Sequence, residues 1–167
     1  MEYLMTYGWA LLVIVIVIAV LMFIRPFGAP ESCVFQTPGF SCEGHRIFGS
    51  ASGVDANSIR ATVVNGQQKT IKEIDVACVR GTKAPSATSS VWRSLVTGAN
   101  YISHGENIGL INSGVRCYDI SGTTPLATTI NPGEDFTGKL YVRFRYRDEP
   151  STVPKKVAVA SVLGQAQ

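Results

Sequence analysis

The stretch Thr137–Arg147, TGKLYVRFRYR, decides how most of this chain must fold. Leu140, Val142, Phe144 and Tyr146 fall on alternate positions, and Lys139, Tyr141, Arg143, Arg145 and Arg147 fill the positions between them. Successive side chains of an extended chain point to opposite faces, so this alternation predicts a strand with one apolar and one basic face. Asp148-Glu149-Pro150 then turns the chain, and Lys156–Leu163 reads as the returning partner strand.

Working back from there, short strand-like segments recur between turn signals. They are Arg46–Ala51, Ser58–Asn65, Lys69–Arg80, Val91–Val96, Asn107–Asn112, Val115–Ile120 and Leu126–Ile130. Asn65-Gly66 is a hairpin signal, Ser113-Gly114 another tight turn, and Asn131-Pro132-Gly133-Glu134 a loop. Ile71 is out of phase with Ile74, Val76 and Cys78, which predicts a bulge or a shifted strand start. Gly81–Ser90, GTKAPSATSS, reads as a polar surface loop. About nine strands with no amphipathic helix between them describe an antiparallel sandwich or small barrel. The sandwich is the expectation, and the strand spacing fits an immunoglobulin-like topology without requiring it.

The opposite end of the chain has a different character. MEYLMTYGWALLVIVIVIAVLMFI, Met1–Ile24, carries no charge between Glu2 and Arg25, a gap of 22 residues. A helix of that length measures about 33 Å, against a hydrocarbon layer of about 30 Å. The run is apolar on every face, so it belongs in lipid or inside other protein. Arg25-Pro26-Phe27-Gly28-Ala29-Pro30 closes it with three helix breakers. The expected class is therefore α+β: a long N-terminal hydrophobic helix over 1–25, a neck over 26–32, and an antiparallel all-β head over 33–167.

Cysteines stand at 33, 42, 78 and 117, all beyond the apolar run. An even count there suggests two disulfides and an oxidising, extracytoplasmic setting, with free buried thiols as the alternative. Of the three connectivities, the Pro38-Gly39 turn favours Cys33 with Cys42, leaving Cys78 to Cys117.

Function classes narrow by composition. A net charge of +3 with 16% charged residues argues for no nucleic-acid partner. There is no C-x-x-C pair, no G-x-S-x-G, no H-E-x-x-H and no P-loop, so no catalytic residue, cofactor or metal is expected. Cys42 and His45 come nearest to a metal-ligand spacing. No N-x-S/T sequon occurs. The row Lys139, Arg143, Arg145 and Arg147 reads first as a solvated strand face that discourages edge aggregation, second as a subunit contact, and last as a nucleic-acid contact, against which Asp148 and Glu149 stand beside it.

Glu2 followed by Tyr3-Leu4-Met5-Thr6-Tyr7-Gly8-Trp9-Ala10 and a Val/Ile/Leu run resembles the N-terminus of archaeal type IV pilins. In that family a class III signal peptide is removed by a prepilin peptidase, leaving the helix attached. The family's glutamate falls at the fifth mature position. Glu2 therefore departs from the pattern, as it would in a mature chain beginning about three residues earlier or cut at a different site. The detailed match covers only this segment.

What the resemblance implies is the major structural subunit of an extracellular pilus-like filament serving adhesion or cell–cell contact. The subunit would wait in the cytoplasmic membrane and then polymerise with copies of itself, helped by an assembly ATPase and a platform protein. Glu2, Leu4, Tyr7, Leu12, Val13, Ile16, Val17, Val20 and Leu21 would carry the helix–helix contacts. A membrane-anchored monomeric surface-binding domain, a minor pilin and an archaellum-type subunit are the alternatives.

Overall fold

The computed structural model describes residues 2–23, 30–49, 56–81, 83–95, 101–109, 114–121 and 124–167, with side chains of the N-terminal helix described over 7–22. The chain runs α1 (Glu2–Phe23), β1 (Ser32–Phe35), β2 (Phe40–Phe48), β3 (Ser58–Asn65), β4 (Ile71–Arg80) and β5 (Arg93–Ser94). It continues through β6 (Asn107–Gly109), β7 (Val115–Asp119), β8 (Leu126–Ala127), β9 (Asp135–Tyr146) and β10 (Lys156–Gln165).

All ten strands join one sheet, in the order β1-β10-β9-β4-β7-β3-β2, with β5, β6 and β8 paired to β4, β3 and β7. The two edge strands of that order meet. Cys33 on β1 is bonded to Cys42 on β2, with Cα atoms 5.8 Å apart, and Phe35 packs on Phe40 at 5.6 Å between ring centroids. Past the end of β10, Ala166 bridges Ile47 in parallel, and the Gln167 amide donates to the Ile47 carbonyl at 2.9 Å. The sheet is thus a nearly closed barrel.

This corrects the expected fold class in three respects. The head is a single curled sheet and not two packed ones. It is not wholly antiparallel, because β4 and β7 run parallel, with Cys78 opposite Cys117. The third correction concerns α1. Its side chains are described over the sixteen residues 7–22. Among the described residues, no helix is long and apolar enough to cross a membrane. Alternation in sequence reports only which face is inward. It does not distinguish a sheet that curls onto itself from two that stack, because both bury one face of every strand.

The interior follows the alternation closely. Leu140, Val142 and Phe144 of β9 are buried in one cluster with Ile59 and Val63 of β3, Ile74 and Val76 of β4, Val115 of β7, and Ala158, Ala160 and Val162 of β10. In register, Ala158 lies opposite Val142 and Ala160 opposite Leu140, so small residues face large ones where the wall curves. Cys78 and Cys117 are bonded inside this core, with Cα atoms 4.5 Å apart.

Ile74 to Val79 of β4 are all buried, which a one-sided strand would not allow. The reason lies outside the barrel. Ala77, Val79 and Tyr141 point outward under Val91, with Trp92, Tyr118, Ile120 and Val159 packed around them. Thus the polar Gly81–Ser90 segment leads into residues that roof one outer face. Gly138 sits where this strand packing is tightest: a Cβ there would come within 2.6 Å of the Phe136 ring and 2.9 Å of the Val79 carbonyl oxygen.

Other expectations divide cleanly. β9 and β10 form the antiparallel hairpin read from Thr137–Arg147 and its return. The phase slip at Ile71 is a bulge, with the β4–β9 register shifting between Lys72 and Asp75 and Glu73 held at φ 52°. Asn65-Gly66 is not a hairpin, since β3 pairs with β2, β6 and β7. Instead the buried Asn65 side chain serves as a corner post. Its Nδ2 donates to the carbonyls of Lys69, Ile102 and Ser103, each at 3.1 Å, and its Oδ1 accepts from the Gln67 amide at 3.0 Å. The closing sequence Arg25–Ala29 and the Ser113 side of the Ser113-Gly114 turn lie outside the described residues.

Candidate functional site

Three surfaces carry the residues that the sequence singles out. The first is α1. Every described residue from Tyr7 to Met22 is exposed, and among the large apolar ones Val13 is least so at 38% and Met22 most at 78%. Tyr7, Leu12, Val13, Ile16, Val17, Val20 and Leu21, the expected contact residues, are therefore all uncovered. So are Trp9, Leu11, Ile14, Val15 and Ile18 between them. Glu2 and Leu4 belong to the helix, but their side chains fall outside the described residues.

The second surface is the basic row on β9, and the structure brings it against acids and rings. Arg143 donates from Nε to Asp75 Oδ2 at 2.6 Å and from Nη1 to the Ala87 carbonyl at 2.7 Å, and its guanidinium stacks 4.3 Å from the Trp92 ring centroid. Lys155 donates to the same Asp75 oxygen at 2.6 Å. Arg145 pairs with Glu73 in the β4 bulge and donates from Nε to the Val153 carbonyl at 2.6 Å. Arg147, just beyond the strand, stacks 4.6 Å from the Tyr101 ring centroid. Lys139 is half-buried between Val79 and Ser161 in the register.

Burial is the largest single influence on Asp75 and pushes its pKa up. The hydrogen bonds and charges of Lys155 and Arg143 together outweigh it, so the carboxyl sits below its ordinary value of 3.8. Next along the row, Glu149 is lowered first by the Lys156 ammonium and then by the Tyr146 amide. Tyr141 is pushed up by burial under Val91. The row is a set of internal clamps between β9, the β4 bulge and the covering segment.

The third place is the Cys33, Cys42 and His45 cluster, whose ligand atoms lie within 4.8 Å of one another. Both sulfurs are committed to the bond between them, and His45 Nε2 hydrogen-bonds to the Leu163 carbonyl at 2.9 Å. The cluster ties β2 to the end of β10.

A fourth surface is one that the sequence reading did not single out. The outer face of β2 and β3 carries an open depression of about 340 Å³ lined by Gly44, Arg46, Phe48, Arg60 and Thr62 among others. Arg46 and Arg60 are direct cross-strand partners, and the Arg60 guanidinium lies 5.0 Å from the Phe48 ring centroid. The signal was present as alternate residues on each strand. Their alignment was hidden because the pairing shifts by one residue between Cys42 and Gly44.

Comparison of the chain with protein-family models, curated proteins and solved structures produced no match.

Proposed function

We propose that the chain is a structural subunit of a type IV pilus-like extracellular filament, which polymerises through α1 and displays the barrel to the outside. The observation that carries this reading is the helix whose apolar side chains are exposed around its whole circumference. Burying Leu, Ile or Val side chains is favourable by about 1.5–3 kcal/mol each when complete. Tyr7–Met22 holds thirteen large apolar residues in contact with nothing that covers them. A one-sided stripe would call for one partner, whereas an all-round apolar surface calls for several, as in a bundle of copies of the same helix. The barrel supports the reading from the other side. Its two disulfides suit an oxidising exterior, and its closed wall leaves little free strand edge to compete with helix-driven assembly.

Before assembly the helix would be stored against the membrane. Lipid is as apolar as a helix bundle, so transfer from one to the other gains little and subunit extraction needs outside work. An assembly ATPase acting with a platform protein, after a prepilin peptidase, would supply it.

The test is electron microscopy and immunoblotting of fibres sheared from cells that produce the chain, beside a Val13→Arg/Val17→Arg variant. Fibres containing the parent chain and lacking the variant, with the variant barrel melting at the parent's temperature, are the expected result. Parent chain confined to the membrane fraction would overturn the filament reading in favour of a membrane-anchored surface domain.

A further inference from the structure

Cys33, Cys42 and His45 meet at the seam where β1 and β2 close the barrel, and a ring nitrogen of His45 lies within 4.8 Å of both sulfurs. Local spacing alone would keep them apart. Cys42 and His45 are three residues apart on β2, which puts side chains on opposite faces of a regular strand. Glu43 is the extra residue of the bulge between Cys42 and Gly44, so His45 returns to the face of Cys42. Phe40 and Ile47, buried in the core, belong to that same face.

The ring is held as a metal ligand would be. His45 Nε2 lies 2.9 Å from the Leu163 carbonyl oxygen, which can only accept, so in the neutral ring Nε2 carries the proton and Nδ1 keeps a lone pair. Metal-bound histidines make such a bond with their second nitrogen, which fixes the tautomer and the ring direction. Gly164 leaves the ring its room, since a Cβ there would stand 3.4 Å from His45 Nε2 and 3.0 Å from Ile47 Cδ1. Burial also separates the two disulfides. Cys33 and Cys42 are half-buried, whereas Cys78 and Cys117 have no exposure, so a reductant in solution reaches the first bond before the second.

We propose that the chain, once the Cys33–Cys42 bond is reduced, binds one zinc ion through the two thiolates and the His45 imidazole, with water in the fourth position. A dithiol supplies the two electrons that break the bond and is itself closed to a cyclic disulfide. Its two protons pass to the sulfurs and leave when the thiolates take up Zn2+. Thiolate and imidazole donors select zinc over magnesium and calcium, which take oxygen ligands. Zinc bonds of about 2.3 Å to sulfur and about 2.0–2.1 Å to nitrogen put tetrahedral donors about 3.5–3.8 Å apart. His45 is thus already in range, and reduction frees the sulfurs to part. The ion replaces the disulfide as the staple between β1 and β2, and oxidation by a second disulfide takes the two electrons back and releases it. In an oxidising exterior the disulfide holds the seam; the zinc form belongs to the chain before its sulfurs are joined or after a dithiol reopens them. The inference stands whether or not the chain polymerises.

The experiment uses the full chain in detergent, treated briefly with dithiothreitol, desalted without oxygen, and titrated with Co2+ and then Zn2+. Thiol counting should find the Cys33–Cys42 pair open and the Cys78–Cys117 pair closed. The reduced parent should take one equivalent of cobalt with the charge-transfer and intense visible bands of a thiolate-bound tetrahedral ion, which zinc then removes. His45→Ala should weaken zinc binding about tenfold or more and shift the visible bands. C33S/C42S, with the core disulfide kept, should show no bands. Zinc should raise the melting temperature of the reduced parent and leave that of the oxidised parent unchanged, and the melting temperature of each variant before reduction reports its folding. A reduced parent that binds no cobalt, equal bands in the oxidised parent or in C33S/C42S, or an affinity unchanged in His45→Ala would overturn the proposal.

Discussion

The barrel carries arginines on two of its outer faces, and Arg143 and Arg145 on one are far more enclosed than Arg46 on the other. On the β4–β9 face each is held: Arg143 by Asp75, Trp92 and the Ala87 carbonyl, and Arg145 by Glu73 and Val153. On the β2–β3 face Arg46 lies exposed opposite another arginine. The same residue type on strands therefore serves as an internal fastener at Arg143 and Arg145 and as exposed surface at Arg46. What separates them is the neighbouring strand. β4 brings Glu73 and Asp75 alongside β9 through its bulge, and β3 brings Arg60 alongside β2.

The sharpest way to break this contrast is Asp75→Ala. It leaves Arg143 and Lys155 facing each other over a largely buried site, where Asp75 is 5% exposed and the Arg143 and Lys155 side chains about a fifth. Removing one partner of a buried charge cluster typically costs about 3–5 kcal/mol. Because both cations retain some contact with water, the expected loss is about 2–3 kcal/mol, measured by urea unfolding at neutral pH. A loss below about 0.5 kcal/mol would mean that the face is merely decorated with charge, as an exposed pair would be.

Acid should expose the same asymmetry more gently. The folded pKa of Asp75 lies below its unfolded value, as do those of Glu134, Asp148 and Glu149. A group depressed in this way contributes stability that is fully present above its unfolded pKa, near 4, and is lost as pH falls through the folded pKa. The melting temperature should therefore hold between neutrality and about pH 5 and fall below about pH 4, and Asp75→Asn should flatten that fall. A parent curve no steeper than that of the asparagine variant would remove Asp75 as a source of acid sensitivity.

How much of this was legible in the residues depends on the range over which each feature is decided. Thr137–Arg147 declared its faces because alternation is local, and the Ile71 phase slip declared the bulge for the same reason. The Pro38-Gly39 turn pointed to the Cys33–Cys42 bond because both cysteines flank it. Barrel closure was not legible, since it rests on Ala166 meeting Ile47 across more than a hundred residues. Nor was the parallel seam of β4 with β7, nor the use of Asn65 as a corner where its Asn-Gly pair suggested a hairpin. The basic row on β9 was visible, but its carboxylate partners on β4 were assigned by register, which single-strand patterns do not carry. The Arg46–Arg60 pair escaped notice for the same reason.

The smallest expected effect is the most discriminating. Arg46→Ala, on the open face, removes an exposed arginine that lies opposite Arg60 and makes no ion pair among the described residues, so it should leave stability unchanged or raise it by a few tenths of a kcal/mol. Arg143→Ala, on the clamped face, abandons Asp75, the Ala87 carbonyl and the Trp92 ring, and should cost about 2 kcal/mol. The charge removed is the same in both, and both side chains stand on the outer side of a strand, so the difference between the two unfolding curves reports chiefly the contribution of the partners. Equal costs would mean that the two arginine faces share one structural role. A gain at Arg46 and a loss at Arg143 would mean that the partners, and not the arginine itself, hold the clamped face together.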